Sequence, residues 1–458
     1  MTEKYDVIVL GGGPAGFTAA NRAAEAGLKT AIFEEDKLGG TCLNQGCIPS
    51  KSFIHSAKLF SEINEKSDES TNKGQCPDIQ KWTEIKNKTV ESLRMGVRGS
   101  LRKNRVKIVF SKGLIQSYSD GETVITDSDG NTYSTDHLII AVGSKVFLPP
   151  IDGLITALES SFAVTTDNLF NIEENFSSIA IIGGGVIGAE LASCFAMANI
   201  KVALIESTDR LGASADPDCM NAFEKSLKKV GVSVYKNSKV EKIEDKALYI
   251  SAEEGVICEQ VDKILVCTGR RPWLDGYGLE KLNVKTERGV IVTDDKLKTS
   301  VKGVYAVGDI NGKSMLAHTA YREAEVCINN IIGEDDYIDY NLIPSVVYGN
   351  IEVGCVGENE YSENAASGWS VRKLPMTYSG RAVAEDSDEF GFCKLVFDEN
   401  ERLRGGFITG AYASEIILAL TVMVQSGYTI RQMKKTIYAH PTVGEIIRET
   451  LFSKPEIL

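Results

Sequence analysis

No apolar run in the chain approaches the ~20 residues that span a bilayer, so the sequence holds no candidate membrane helix. Basic residues are in the minority, 50 Lys and Arg against 63 Asp and Glu, which gives a net charge of −13 and a pI near 5.1. Such a surface repels polyanions unless a local basic patch overrides it. The two basic clusters, Arg102-Lys103-Asn104-Arg105 and Lys434-Lys435, are short and read as solvated helix faces. Neither nucleic acid nor an anionic membrane is therefore an expected partner. Ten cysteines in 458 residues are too few for a disulfide scaffold. The N-terminus passes from Met1-Thr2-Glu3-Lys4-Tyr5 directly into an apolar segment, without a charged-then-apolar leader, and a cytoplasmic location is expected. Histidine occurs four times and proline 11 times, against 42 glycines. The glycine excess fits a chain with many positions where a Cβ is not tolerated.

Hydrophobic residues at 43% and charged residues at 25% exclude a mostly disordered chain. At ~100–200 residues per domain, two to four domains are expected. One arrangement occurs twice. The apolar residues 7–10 run into Gly11-x-Gly13-x-x-Gly16, a helix-compatible stretch follows to about Ala26, and a second apolar run, 30–33, ends at Glu34. Residues 179–182 likewise run into Gly183-x-Gly185-x-x-Gly188, a helix to about Ala198, and a run at 202–205 ending at Glu206. The interval from first glycine to acid is 23 residues in both copies. In this motif the first glycine makes a tight turn, the second admits a pyrophosphate and the third lets the helix pack on the sheet. The helix N-terminus favours the phosphate charge, and the acid accepts from an adenosine ribose. Two bound dinucleotides are predicted. A carboxylate at Glu206 pairs with a free 2′-hydroxyl and repels a 2′-phosphate, which favours NAD over NADP, although Arg210 lies close enough in sequence to soften that preference.

Other glycine-terminated apolar runs lie at 137–143, 263–269 and 304–309, the first followed by a Pro149-Pro150 linker. The layout that follows is α/β. A first dinucleotide-binding domain over 1–149 is interrupted by a second, inserted one over 150–268, and resumes over 269–335. From residue 336 the pattern changes to alternating segments (345–348, 393–397), a Gly405-Gly406 turn and a helical tail, the signature of a separate α+β domain over 336–458.

The stretch Gly39-Gly40-Thr41-Cys42-Leu43-Asn44-Gln45-Gly46-Cys47-Ile48-Pro49-Ser50-Lys51 carries the most closely spaced cysteine pair of the sequence. A spacing of five residues between cysteines is not a helical face repeat, so bonding distance requires a loop or distortion, for which Asn44 and Gly46 provide freedom. Zinc would need two further ligands and no second Cys or Cys/His pair of that kind appears. Two readings remain, a redox-active dithiol beside a cofactor or two structural thiols, and the flanking Gly-Gly-Thr and Pro-Ser-Lys favour the first. The other eight cysteines read as core residues.

This stretch resembles the active-site segment of the FAD-dependent pyridine nucleotide–disulfide oxidoreductases, and the two glycine motifs, the Gly308-Asp309 segment and the C-terminal His440-Pro441-Thr442-Val443-Gly444-Glu445 follow in that family's order. The resemblance implies two Rossmann-like domains and a C-terminal dimerisation domain. It implies FAD at the first site, with Gly11, Gly13, Gly16, Glu34, Thr41, Lys51, Gly113, Gly143, Asp309 and Ala317. It implies NAD at the second, with Gly183, Gly185, Gly188, Glu190, Glu206 and Gly269, and Lys51 paired with Glu190. Cys42 and Cys47 become the redox disulfide, and His440, held by Glu445, the base, reaching the cysteines of the other subunit of a homodimer. His55 and His137 read as structural or solvent-facing, and His318 contributes backbone at most. Pro-Ser-Lys after Cys47, Glu206, and the absence of a C-terminal cysteine pair resemble the branch that oxidises dihydrolipoamide on lipoyl domains or carriers of 2-oxo acid, acetoin or glycine-cleavage complexes; no lipoyl domain is expected ahead of residue 11. Gln45, Val142 and Tyr438 depart from the usual pattern. The alternatives are a reductase of another disulfide or of a metal ion, and a non-catalytic dinucleotide binder.

Overall fold

The computed structural model describes residues 2–66, 77–253, 255–387 and 389–458. Both repeated units form parallel sheets covered on both faces, which is why their strands read as continuous apolar runs. In the first sheet Thr30–Phe33, Glu3–Leu10 and Thr132–Ile140 lie side by side in parallel, with Lys107–Val109 at the edge. Thr132–Ile140 serves two neighbours on its other side. Its first half pairs antiparallel with Glu122–Thr126, and its second half pairs parallel with Val304–Ala306, far along the chain. The helices Pro14–Glu25 and Ala317–Ile331 pack together over this sheet through Ala15, Ala19, Ala20, Ala23, Ala320 and Ala324.

The second sheet is wholly parallel, in the order Ser233–Tyr235, Lys201–Ile205, Ser178–Ile182, Lys263–Val266, Ala163–Thr165. The chain enters and leaves this unit through two short antiparallel strands, Ser144–Val146 and Arg270–Pro272. The hairpin Leu114–Ser119 with Glu122–Thr126, added to the expected strand at 137–140, and the antiparallel meander Lys239–Gln260 were not anticipated from sequence; Leu114–Ser119, Lys239–Glu244 and Gly255–Gln260 are largely exposed and lack glycine-motif punctuation. Among the described residues no helix is long and apolar enough to cross a membrane.

The C-terminal unit is a six-stranded antiparallel sheet, in the order Ser345–Val347, Glu352–Gly357, Leu403–Gly410, Phe392–Phe397, Ser370–Pro375, Glu456–Ile457. The expected Gly405-Gly406 turn is absent: both glycines lie inside the strand Leu403–Gly410. They are there for close approach. A Cβ on Gly405 would stand 2.1 Å from the carbonyl oxygen of Glu358, and one on Gly406 would stand 2.9 Å from Leu420 of the helix Ala413–Gln425, which packs on this strand.

That helix buries Ile417, Leu420 and Val424 and presents Leu418, 67% exposed, and Val422, 50% exposed, on its outer side. An i, i+4 apolar pair this open is the surface expected to meet a second copy. Leu418→Arg should convert a dimer to a monomer in sedimentation analysis and lower the melting transition, because subunit association stabilises the folded state; a variant that still sediments as a dimer would locate the contact elsewhere.

Candidate active site

The two glycine turns are built alike. Gly11 and Gly183 have φ of 100° and 108°, the left-handed region that a side chain disfavours. A Cβ on Gly16 would stand 1.8 Å from the carbonyl oxygen of Gly11, and one on Gly188 1.9 Å from that of Gly183. Helices Pro14–Glu25 and Val186–Met197 start at Gly13 and Gly185, neither with a side-chain cap, which leaves N-terminal N–H donors for a phosphate. The acids at the ends of the second strands reach back identically: the amides of Gly12 and Gly184 donate to Glu34 Oε2 and Glu206 Oε2, each at 2.7 Å. Burial raises the Glu34 carboxyl above its ordinary range, opposed by the amides of Asp36 and Gly12. Glu206 Oε1 accepts from the Thr208 amide at 2.8 Å and hydroxyl at 2.9 Å. Arg210 turns away from it and donates to the Ala213 carbonyl. A dinucleotide fits both turns, since each has a cradle without Cβ atoms, free helix donors and an oriented ribose acceptor.

The turns differ in what lies against them. Gly185 has open space around the position of a Cβ, whereas Gly13 faces Gly40, and a Cβ on Gly40 would stand 2.6 Å from the Gly13 Cα. The cysteine segment therefore begins packed on the first turn. Cys42 sits in a short helix, Gly40–Asn44, which breaks at Gln45 and Gly46 before a second helix, Cys47–Lys66, starts at the other cysteine. This break is the distortion that a five-residue spacing demands. It brings the two free thiols into hydrogen-bond contact.

The partners are electrostatically unequal. Hydrogen bonding to Cys42 brings the Cys47 thiol down to about 7, against burial, with help from the Lys51 ammonium. Cys42 moves the other way, raised by the same hydrogen bond and by burial. Cys47 also stands at a helix N-terminus, where a thiolate is favoured. Lys51 lies one turn further along that helix, and its Nζ is 2.9 Å from Glu190 Oε2. Glu190 is buried on Val186–Met197, and burial raises its carboxyl against the pull of Lys51.

The remaining expected residues gather around these two turns or stand apart. Asp309 Oδ2 accepts from Ser144 Oγ at 2.5 Å, and Gly308 lies against Ala15 at the start of the first helix. Gly113 packs on Leu10 and Phe33. Ala317 begins the helix Ala317–Ile331. Gly143 and Gly269 accept from Trp273 and Phe147 at the two crossings between units. His440 Nδ1 is 2.8 Å from Glu445 Oε2, with the imidazole 77% exposed and the carboxylate only 11%. His318 is tied to the Pro344 carbonyl at 2.7 Å. His55 is exposed, and His137 lies inside the strand Thr132–Ile140 and not at its start, its pKa lowered by burial. Of the other cysteines, Cys194, Cys219, Cys327, Cys355 and Cys393 are buried and Cys267 is half-buried. Cys258 is exposed on a half-open meander strand and is no core residue, and Cys76 lies outside the described residues.

Three side chains escaped sequence reasoning because no motif marks them. Arg270 donates to Ser144 Oγ at 2.9 Å, to the Ser144 carbonyl at 2.8 Å and to Asp167 at 3.1 Å, and reaches Thr41 at 3.4 Å, so it ties the cysteine segment to both crossings. Tyr321 lies near both sulfurs. Tyr348, from the C-terminal unit, places its ring under Lys51 Nζ, 4.3 Å from the centroid.

Residues 5–324 match the family described as Pyridine nucleotide-disulphide oxidoreductase, and residues 343–451 match that family's dimerisation domain. The chain belongs to the pyridine nucleotide–disulphide oxidoreductases. As a member of this family it works with FAD and NAD. Similar members include dihydrolipoyl dehydrogenases of Chlamydia muridarum, 34% identical with 98% of this chain and 97% of the relative covered, and of Buchnera aphidicola, 35% identical with 96% and 94% covered. A leghemoglobin reductase of Glycine max is 31% identical, with 98% and 87% covered. In fold the chain resembles LpdA of Mycobacterium tuberculosis, TM-score 0.87 at 23% identity with 98% and 99% covered, and the HOCl-induced flavoprotein disulfide reductase RclA of Escherichia coli, TM-score 0.86 at 24% identity with 98% and 99% covered. Among the described residues no group of three or more His, Cys, Asp or Glu is arranged to hold a metal ion.

The inequality of the two thiols predicts a pH dependence in this oxidoreductase. Because the Cys47 thiol titrates at about 7, below the ordinary thiol value, its thiolate is present above that pH and is lost as pH falls through it. A thiolate–flavin absorption band of the two-electron-reduced enzyme should therefore fade with a midpoint near 7 on acidification; a midpoint at the ordinary thiol value would contradict the inequality.

Proposed function

We propose that this chain is a dihydrolipoyl dehydrogenase, oxidising dihydrolipoamide carried on lipoyl domains or carrier proteins and passing the electrons to NAD⁺. The observation that carries the reading is the unequal thiol pair, Cys42 and Cys47, seated on the first dinucleotide turn with Lys51 one helical turn away. The named dihydrolipoyl dehydrogenases that match along nearly the whole chain support it. The domain layout is 1–149 with 269–335 for FAD, 150–268 for NAD and 336–458 for dimerisation, and the location is the cytoplasm.

FAD is held by Gly11, Gly13, Gly16, Glu34, Thr41, Lys51, Gly113, Gly143, Asp309 and Ala317. NAD is held by Gly183, Gly185, Gly188, Glu190, Glu206 and Gly269. When bound, FAD supplies a two-electron relay between the dithiol and the nicotinamide. Glu206, fixed by Thr208 and free of Arg210, selects the cofactor without a 2′-phosphate.

The residues of the chain manage sulfur and protons. His440, its Nδ1 held by the Glu445 carboxylate, takes a proton from the dihydrolipoyl thiol at Nε2. The resulting thiolate attacks Cys42 of the oxidised pair, and the Cys42–Cys47 bond breaks. Cys47 is the better leaving group because its thiol is the more acidic, and its thiolate is received by Lys51 and the helix N-terminus. The second lipoyl thiol then gives up its proton and attacks the lipoyl sulfur bound to Cys42. Cyclic lipoamide departs, the second proton goes to the released Cys42 sulfur, and His440 keeps the first, which balances the charge of the Cys47 thiolate. His440 stands exposed on the dimerisation domain, and the histidine of one subunit serves the cysteines of the other, so the dimer is the catalytic unit.

His440→Gln should lower dihydrolipoamide oxidation by about 10²–10³-fold, while NADH oxidation by a quinone, which needs no substrate thiol, stays within about twofold. Equal losses in both assays would remove His440 from the base role. NADH-dependent reduction of lipoamide, oxidised glutathione and mercuric ion, measured side by side, distinguishes the proposed substrate class from its rivals.

A further inference from the structure

A turn of the C-terminal unit reaches into the site. Between the strands Ser345–Val347 and Glu352–Gly357, residues 348–350 enter the groove between helices Val186–Met197 and Pro217–Lys229. Asn350 is clasped there: its amide donates to Ser193 Oγ at 2.7 Å, its Oδ1 accepts from Ser193 at 3.0 Å and Ser226 at 3.1 Å, and its Nδ2 donates to the Ser226 carbonyl at 3.2 Å. Gly349 permits the depth of insertion, since a Cβ there would stand 2.7 Å from the Phe223 ring and 2.9 Å from Ser193 Oγ. With the turn fixed in this way, the Tyr348 amide donates to Glu190 Oε1 at 3.0 Å and the Tyr348 ring lies 4.3 Å from Lys51 Nζ. Glu190 Oε2 meets the same ammonium at 2.9 Å. Both groups that hold Lys51 are thus themselves set by one residue of the dimerisation domain. Cys47 and Lys51 are four apart on one helix and share a face. Further along the helix Lys58 meets Glu352, which Ser414 also binds, so the helix is braced twice by the C-terminal unit.

We propose that Tyr348 is a positioning residue for the redox pair, its ring and backbone amide fixing Lys51 and Glu190 beside Cys47. The inference rests on the disulfide reading above and extends it to a residue of a different domain. The groups facing Cys47 are Cys42, Lys51, Glu190, Tyr321 and Tyr348. Of these, Lys51 supplies the positive charge, and a cation over an aromatic face is held more firmly than one facing an aliphatic side chain. Replacing the ring frees the ammonium to leave Cys47 for solvent.

The test is made on the flavin-loaded dimer, reduced anaerobically and treated with iodoacetamide across a range of pH, with alkylation of Cys47 followed by peptide mass spectrometry. Tyr348→Leu should raise the alkylation midpoint and slow the reaction at pH 7 by about threefold. Tyr348→Phe, which keeps the ring and the amide, should retain the parent midpoint. Asn350→Ala, which leaves Tyr348 and Gly349 in place and loosens only the clasp, should shift the midpoint in the same direction as Tyr348→Leu. A parent midpoint near 7 that is unchanged in both Tyr348→Leu and Asn350→Ala would overturn the positioning role alone. A parent enzyme whose Cys47 alkylates with an ordinary thiol midpoint would overturn the disulfide reading itself, and the positioning role with it.

Discussion

Everything chemical in this molecule depends on two backbones that touch. Gly40 lies so near Gly13 that a Cβ on residue 40 would stand 2.6 Å from the Gly13 Cα, and this contact seats the cysteine segment on the first phosphate turn. From there the chain has one short helix, one break and one long helix in which to arrange two sulfurs and an ammonium. The break at Gln45 and Gly46 puts Cys47 at the start of the long helix. There the hydrogen bond to Cys42 lowers its thiol, and Lys51, one turn later, adds its charge. A side chain at residue 40 would push the whole segment outward and part the sulfurs from any cofactor held by the turn.

The second parallel unit has the same turn without such a neighbour. Its glycines, its helix start and its ribose acid follow the first unit residue for residue, down to the 2.7 Å contact between carboxylate and middle glycine amide. Yet Gly185 opens to free space. One fold element, used twice, is packed against the cysteine segment in one case and left open in the other. The helix after the second turn also has a structural duty, since Glu190 and Ser193 on it meet the redox helix and the C-terminal unit.

Much of this arrangement was legible in the sequence because it depends on local rules. Glycine turn, helix, second strand and acid sit within 23 residues of each other, and the cysteine pair and the His440–Glu445 pair are each spaced by five. The spacing between Cys42 and Cys47 already implied a broken helix. What could not be read were features set by distant packing. Gly405 and Gly406 look like a turn, but they are glycines because a carbonyl and Leu420 press on a strand. The strands Leu114–Ser119, Lys239–Glu244 and Gly255–Gln260 are short and largely exposed, with weak alternation. Arg270 and Tyr348 act across unit boundaries, from positions where an arginine or a tyrosine signals nothing by itself. The inequality of the two thiols likewise arises from the hydrogen bond between them and, against burial, from a lysine brought in by the fold.

Anaerobic titration of the purified flavin-loaded dimer with dihydrolipoamide, followed by NAD⁺, tests the electron path from the sulfur pair most directly. One equivalent of dithiol should produce a long-wavelength thiolate–flavin band, and NAD⁺ should discharge it with formation of one equivalent of NADH. Reduction of the flavin without that band, or no reduction at all by the dithiol, would contradict a working sulfur pair beside the cofactor.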